Sequence, residues 1–209
     1  MGVTQKTAWY MLQRARLALQ GKQGGKLSGE IEADESFIGG KARFMHAHKR
    51  AKKIHGRGPE GKTIVAAVLE RGGEIRAKVV KTRRKKELHK LVVDNVEAGS
   101  TVYTDELLSY DALNEEFTHQ VINHAESYVN GSIHTNGCEN FWSLLKRGVH
   151  GTYVSIEPFH LFRYVDEQAF RYNQRGLNDA ERFDLAVSQI IGKRLTYTEL
   201  TGHADDEPF

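Results

Sequence analysis

Three acidic residues stand where a carboxylate needs a reason to be. Residues 30–38 (EIEADESFI) alternate Ile31, Ala33, Glu35 and Phe37 against Glu32, Asp34, Ser36 and Ile38, which predicts a strand. Asp34 falls in the middle of it, a position that suits aspartate poorly. Asp105 ends a second short strand, 101–105 (TVYTD), whose apolar neighbours imply burial. Glu139 lies in the first turn of a helix that starts at Asn136. The separations are 71 residues from Asp34 to Asp105 and 34 from Asp105 to Glu139. Cleaving a phosphodiester needs an activated water and a stabilised leaving oxygen, and two divalent ions can serve both ends of an in-line displacement. Mg²⁺ and Mn²⁺ want carboxylate and water oxygens for that task. One aspartate shared between two ions, with a further acid on each, is a sufficient protein contribution. With a DNA 3′-hydroxyl as nucleophile, the same site turns hydrolysis into strand transfer.

Plainer readings stand beside this one. Asn136-Gly137-Cys138-Glu139 has the spacing of a capping box, so Glu139 could simply close a helix start. Asp105 could be a solvated strand end or the cap of the segment DELLSYDAL. Glu32 and Glu35 show that the Asp34 strand carries acids generally. The 27 Asp and Glu residues also allow many triples, so spacing alone decides little. Lys146 adds to the chemical reading. It follows Glu139 by seven residues, which at roughly 100° per residue returns to the same helix face. A lysine there could reach a phosphate beside the carboxylates, or could be an ordinary surface lysine.

The elements that must position these residues can be read from pattern. The chain has 209 residues, of which 39% are hydrophobic, enough for one sizeable α/β core. A lone cysteine, Cys138, excludes an internal disulfide and a multi-cysteine zinc site, and fits a reducing cytoplasm. The first residues lack the apolar stretch of a signal peptide, and no apolar run approaches a membrane span. Residues 4–19 read as a helix capped by Thr4, with Ala8, Met11, Leu12, Ala15 and Leu19 as one apolar stripe and Lys6, Tyr10 and Arg14 off it. A Gly/Lys linker, 21–29, follows. Segments 62–70 and 74–81 read as a β-hairpin, 83–97 as a helix with Gly99 as C-cap, and 118–122 as a strand. Helices are also expected from Asn136, over 156–173 and over 179–191, ahead of an acidic tail expected to be disordered. Three strands, then strands alternating with helices, predict an α/β mixed sheet flanked by helices. That order fits a ribonuclease-H-like fold.

Positive charge is concentrated rather than large, the net value being +3. Lys41, Arg43, Lys49, Arg50, Lys52, Lys53 and Arg57 crowd what reads as a long surface loop directly after the Asp34 strand. Such clusters suit a polyanion, and duplex DNA rewards them through counterion release. The run Arg83–Lys86 could equally be a solvated face.

Four segments, IEADESFIGGK, VYTDELLSY, HTNGCENFWSLLKRGVHGTY and FHLFRYVDEQAFRYNQR, together resemble the ISXO-two-like group of insertion-sequence DDE transposases. The likeness runs over roughly residues 30–175 in the same order, and HTNGCENFWSLLKRG is its most specific piece. It implies a ribonuclease-H-like catalytic domain that cleaves and joins DNA strands with two Mg²⁺ or Mn²⁺ ions. Asp34, Asp105 and Glu139 match the metal-binding triad, and Lys146 the lysine after the third acid. Lys146 and Arg147 join the expected DNA contacts, with His134 and Asn136 in supporting roles. Trp142 lies in the same motif, where helical spacing points to the core. The implied partners are transposon ends, target DNA and further copies of the chain, with no membrane, in a cytoplasmic, nucleoid-associated protein. Residues 2–16 resemble the last helix of the DNA-binding region that precedes such domains. The expected division is therefore a remnant helix-turn-helix region with linker (1–29), a catalytic domain (30–176), and a C-terminal helix with its tail (177–209). Two alternatives remain at this point: a truncated transposase remnant that binds DNA without catalysis, and a ribonuclease-H-like nuclease that cuts without joining.

Overall fold

The computed structural model describes residues 2–20, 24–40, 42–56, 58–105, 117–122, 134–153 and 156–202; of Lys49, Asp105 and Ile122 only the backbone is described. In chain order the elements are α1 (Gln5–Ala18), β1 (Glu30–Ile38), α2 (Ala47–Lys53), β2 (Thr63–Glu70), β3 (Ile75–Val80), α3 (Lys85–Asn95), β4 (Thr101–Asp105), β5 (Thr118–Ile122), α4 (Asn136–Arg147), α5 (Leu161–Asn173), α6 (Asp179–Ser188) and α7 (Tyr197–Thr201). They form two compact units, one of residues 24–165 and one that joins residues 1–23 to 166–209. Among the described residues, no helix is long and apolar enough to cross a membrane.

In the larger unit, β1 lies at the centre of a five-stranded sheet of order β3-β2-β1-β4-β5. It pairs antiparallel with β2, Ala33 opposite Val68, and parallel with β4, Ala33 beside Thr104. Antiparallel β2 and β3 form the expected hairpin. This is the ribonuclease-H-like arrangement that the sequence led us to expect. The period-two pattern of β1 sends Ile31 and Ala33 to one face and Glu32 and Asp34 to the other. On the first face Ile31, Ala33, Ala66, Val68 and Val102 pack with Leu88, Val92 and Val96 of the α3 segment as one buried core. The second face carries α4.

The structure departs from the sequence pattern in three places. The segment after β1 is no open loop: residues 42–44 form a 3₁₀ turn, and Ala47–Lys53 form helix α2. Three of its cations, Arg50, Lys52 and Lys53, occupy the last turn, where they face the negative end of the helix dipole. Helix α3 ends at Asn95 with Val96 as its C-cap, so Gly99 serves instead in the turn into β4, with φ +85°.

The third departure concerns α1. Its apolar stripe does not mark the packed face: Met11 is 44% and Leu12 55% exposed, while Gln13, Arg16 and Ala18 are buried. Polar partners within the smaller unit decide this. Arg16 Nε donates to Glu167 Oε2 at 2.8 Å, a pair buried on both sides. The Tyr10 hydroxyl donates to the Leu195 carbonyl at 2.5 Å, and Lys6 lies over the Tyr197 ring. Tyr10 and Lys6, both off the apolar stripe, are thus engaged with the C-terminal segment. Glu167 Oε1 also accepts from Arg171 Nε and Nη2, so this carboxylate keeps a cation when Arg16 is removed. Arg16→Ala should therefore lower unfolding stability by about 1.5–3 kcal/mol, the worth of a hydrogen bond to a charged group, in urea titrations followed by circular dichroism. Leu12→Ala, at an exposed site, should change it by less than about 1 kcal/mol.

Candidate active site

The site grows from the face of β1 that carries Glu32 and Asp34. Helix α4 lies along this face and runs in the same direction as the strand. Cys138 meets Glu32, Trp142 meets Asp34, and the ring nitrogen Nε2 of His150, beyond the helix, is 3.2 Å from the Gly39 carbonyl oxygen. The close approach needs a glycine, because a Cβ at Gly137 would meet Glu32 Oε2 at 2.8 Å and Leu69 at 2.9 Å.

Glu32 is the anchor. Only 1% exposed, it accepts the backbone N–H of Cys138 at 3.0 Å and so caps the start of α4 from across the fold. Its other oxygen accepts from Arg71 Nε at 3.1 Å and lies 3.4 Å from His134 Nδ1. Arg71 also donates to the His134 carbonyl at 2.7 Å and lies over the Tyr103 ring at 4.0 Å. A buried carboxylate thus has a cation and two hydrogen-bond donors, the condition for tolerating its burial. His134, one of the expected supporting residues, belongs to this brace. Asn136, the other, is exposed in the first turn, and the N-cap is Thr135, with no side-chain cap bond. Glu139 therefore closes no capping box.

Asp34 is half-buried and held at both oxygens. Oδ1 accepts the N–H of Glu35 at 2.7 Å and Oδ2 accepts the indole N–H of Trp142 at 2.8 Å. Glu139 precedes Trp142 by three residues, so it is that residue's neighbour on the helix surface. Cys138 is buried beneath this turn of the helix. Burial raises its thiol pKa well above the ordinary value, and the charges of Asp34, Glu32 and Glu139 raise it further. Glu139 is exposed, and Lys146 lies half-buried two turns along the same helix stripe. The backbone of Asp105 follows Thr104, which pairs with Ala33, as Asp34 follows Ala33. The two aspartates thus occupy the same level of adjacent parallel strands, which lie about 4.8 Å apart. Among the described residues, no three metal-ligating side chains form a cluster, a set that leaves out the Asp105 side chain.

Of the expected DNA contacts, Arg43, Arg50, Lys52, Lys53 and Arg147 are exposed. Lys41, Arg57 and the side chain of Lys49 lie outside the described residues. Arg83 pairs with Glu35 at 3.5 Å and lies over Phe37, so that basic run is partly tied to the sheet.

A family model described as an ISXO2-like transposase domain matches residues 26–173. The chain belongs to this transposase family. The matched region contains Asp34, Asp105, Glu139 and Lys146, whereas α1, α6 and α7 fall outside it. A protein in the transposable element ISH50 of Halobacterium salinarum is 33% identical over 155 residues, covering 69% of this chain and 52% of the relative. A transposase-like protein of Haemophilus influenzae is 34% identical over 84 residues, covering 40% of this chain and 68% of its own length. The chain thus spans about half the length of the Halobacterium relative. Among solved structures, the catalytic core domain of BIV integrase is similar at a TM-score of 0.45 and 10% identity, covering 85% of this chain and 99% of that one.

Sequence reasoning treated Glu32 as one more strand acid and Trp142 as core. Trp142 is buried as expected, but its N–H also faces Asp34. Arg71 gave no signal, since it stands in a turn and its partners are 39 and 63 residues away. The packing around Cys138 makes a direct prediction. With its pKa raised by burial and by three carboxylates, the thiol should alkylate with iodoacetamide at pH 8.5 at least roughly 100-fold more slowly in the folded chain than in urea. Equal rates would show that α4 does not seal against β1.

Proposed function

We propose that the chain is the catalytic part of an insertion-sequence transposase, in which Asp34, Asp105 and Glu139 hold two Mg²⁺ or Mn²⁺ ions that serve DNA cleavage and strand transfer. The observation that supports this reading is the pair of hydrogen bonds that tie α4 to β1, from the Cys138 N–H to Glu32 and from the Trp142 N–H to Asp34, with Glu139 one turn before Trp142 and the backbone of Asp105 level with Asp34 on the next strand. The donor set fits such ions: every proposed ligand is a carboxylate, the preference of hard cations. When bound, the ions supply Lewis acidity at the scissile phosphate and ease deprotonation of the attacking water or 3′-hydroxyl.

The chain's own residues prepare that chemistry. Trp142 and the Glu35 N–H fix the Asp34 carboxylate in one orientation, so little reorganisation remains when substrate arrives. Glu32 holds the first turn of α4, and with it Glu139, against the strand. Lys146, on the same stripe as Glu139, is placed for the phosphate next to the scissile one. Arg43, Arg50, Lys52, Lys53 and Arg147, with Lys41, Lys49 and Arg57 from the same basic segment, hold the DNA backbone. Transposon ends and target DNA are the substrates. Joining requires two ends at once, so the working form is an assembly of copies at the nucleoid.

The test is nicking of supercoiled DNA with Mn²⁺, followed by strand transfer from a pre-cut end. Asp34→Asn, Asp105→Asn and Glu139→Gln should each lower both activities by roughly 10²–10³-fold. Variants that nick as well as the parent chain would remove the triad assignment. A parent chain that hydrolyses without joining would make it a nuclease, and one that binds DNA without cutting a remnant.

A further inference from the structure

A cleft of about 800 Å³ opens beyond the C-terminal end of β1, within the larger unit. Its floor is apolar, with Ile38, Met45 and Leu161 among the residues lining it. Its rim is cationic, carrying Arg43, Lys52 and Lys53, against which Glu157 is the one acid among the described residues of the lining. Phe44 stands at this rim with 74% of its surface exposed and the Arg43 guanidinium 4.7 Å from its ring centre.

These features suit different parts of one ligand. Paired DNA presents phosphates outward and keeps its bases stacked, so a flat cationic surface is enough to hold it. A concave apolar floor adds nothing to that contact, yet its size is that of a pocket for a small molecule. A ligand that fills the floor and satisfies the rim must be flat and apolar at one end and anionic at the other. An exposed phenylalanine beside clustered cations offers a stacking surface for a base. We propose that this cleft receives a single unpaired nucleotide of the DNA strand, its base against Phe44 and the apolar floor and its phosphates on Arg43, Lys52 and Lys53.

Its position connects it to the carboxylates. Ile38 lies four residues past Asp34 on β1, about 13 Å at 3.3 Å per residue. Val149, in the turn that extends α4, also lines the cleft and lies ten residues past Glu139, about 15 Å along the helix. Two of the three elements that carry the proposed ligands, β1 and α4, therefore lead to the cleft, and a strand seated at the carboxylates reaches it within a few nucleotides. Extruding a base costs unstacking energy, and a nucleotide already unpaired avoids that cost.

The inference rests on the reading of the chain as one that acts on DNA, and its test separates the two. Fluorescence anisotropy at fixed salt compares a short, fully paired duplex with the same duplex carrying one bulged nucleotide. The bulged DNA should bind between about 5- and 100-fold more tightly, the worth of stacking one base. In Phe44→Ala, an exposed position, the ratio of the two affinities should fall towards one. Equal affinities for the parent chain, or a preference that Phe44→Ala retains, would overturn the cleft assignment while DNA binding itself stands. Binding of neither DNA would overturn both readings.

Discussion

A single buried carboxylate connects the central strand to the helix that completes the site. Glu32 on β1 accepts the Cys138 N–H at the start of α4, and Arg71 balances its charge. Helix starts are usually capped by a residue just before them, and here Thr135 makes no such bond. The cap comes from 106 residues earlier in the chain. That exchange turns a local requirement into a long-range constraint: satisfying the helix end fixes where α4 lies on the sheet. Everything chemical on α4 then takes its place by helical periodicity, Glu139 and Trp142 one turn apart and Lys146 a turn further.

The same constraint explains why acids can stand in the middle of a sheet. β1 is covered on both faces, by the α3 core on one and by α4 on the other. Each acid on the α4 face has specific donors: Glu32 has Arg71 and a backbone N–H, and Asp34 has an indole N–H and a backbone N–H. Cys138, buried beside these acids, has its thiol pKa raised well above the ordinary value and stays a neutral thiol. The larger unit thus concentrates negative charge at the middle of β1 and positive charge beyond its end, around α2. This polarity suits a phosphate chain that must be held at one place and attacked at another.

Much of this was legible in the residues. The alternation in 30–38 placed β1, and the order of strands and helices gave the mixed sheet. Lys146 could be set on the Glu139 face from spacing alone. What failed, failed for physical reasons. The stripe on α1 followed hydrophobicity, but the buried Arg16–Glu167 pair and Tyr10's hydrogen bond turned the helix another way. The segment 41–57 looked like a loop because it is so polar, yet α2 forms there with its cations at the end that favours them. Glu139 was open to a capping reading because Asn136 offered the right spacing; the helix starts one residue earlier and uses a distant cap. Arg71 could not be foreseen, since a turn arginine is ordinary until its partners are known.

The arrangement of the carboxylates is open to direct observation by anomalous diffraction from crystals soaked in Mn²⁺. Two peaks about 3.5–4 Å apart, bounded by the carboxylates of Asp34, Asp105 and Glu139, are the expected result. Manganese bound elsewhere, or Asp34 and Glu139 turned to opposite sides of α4 with no ion between them, would contradict it.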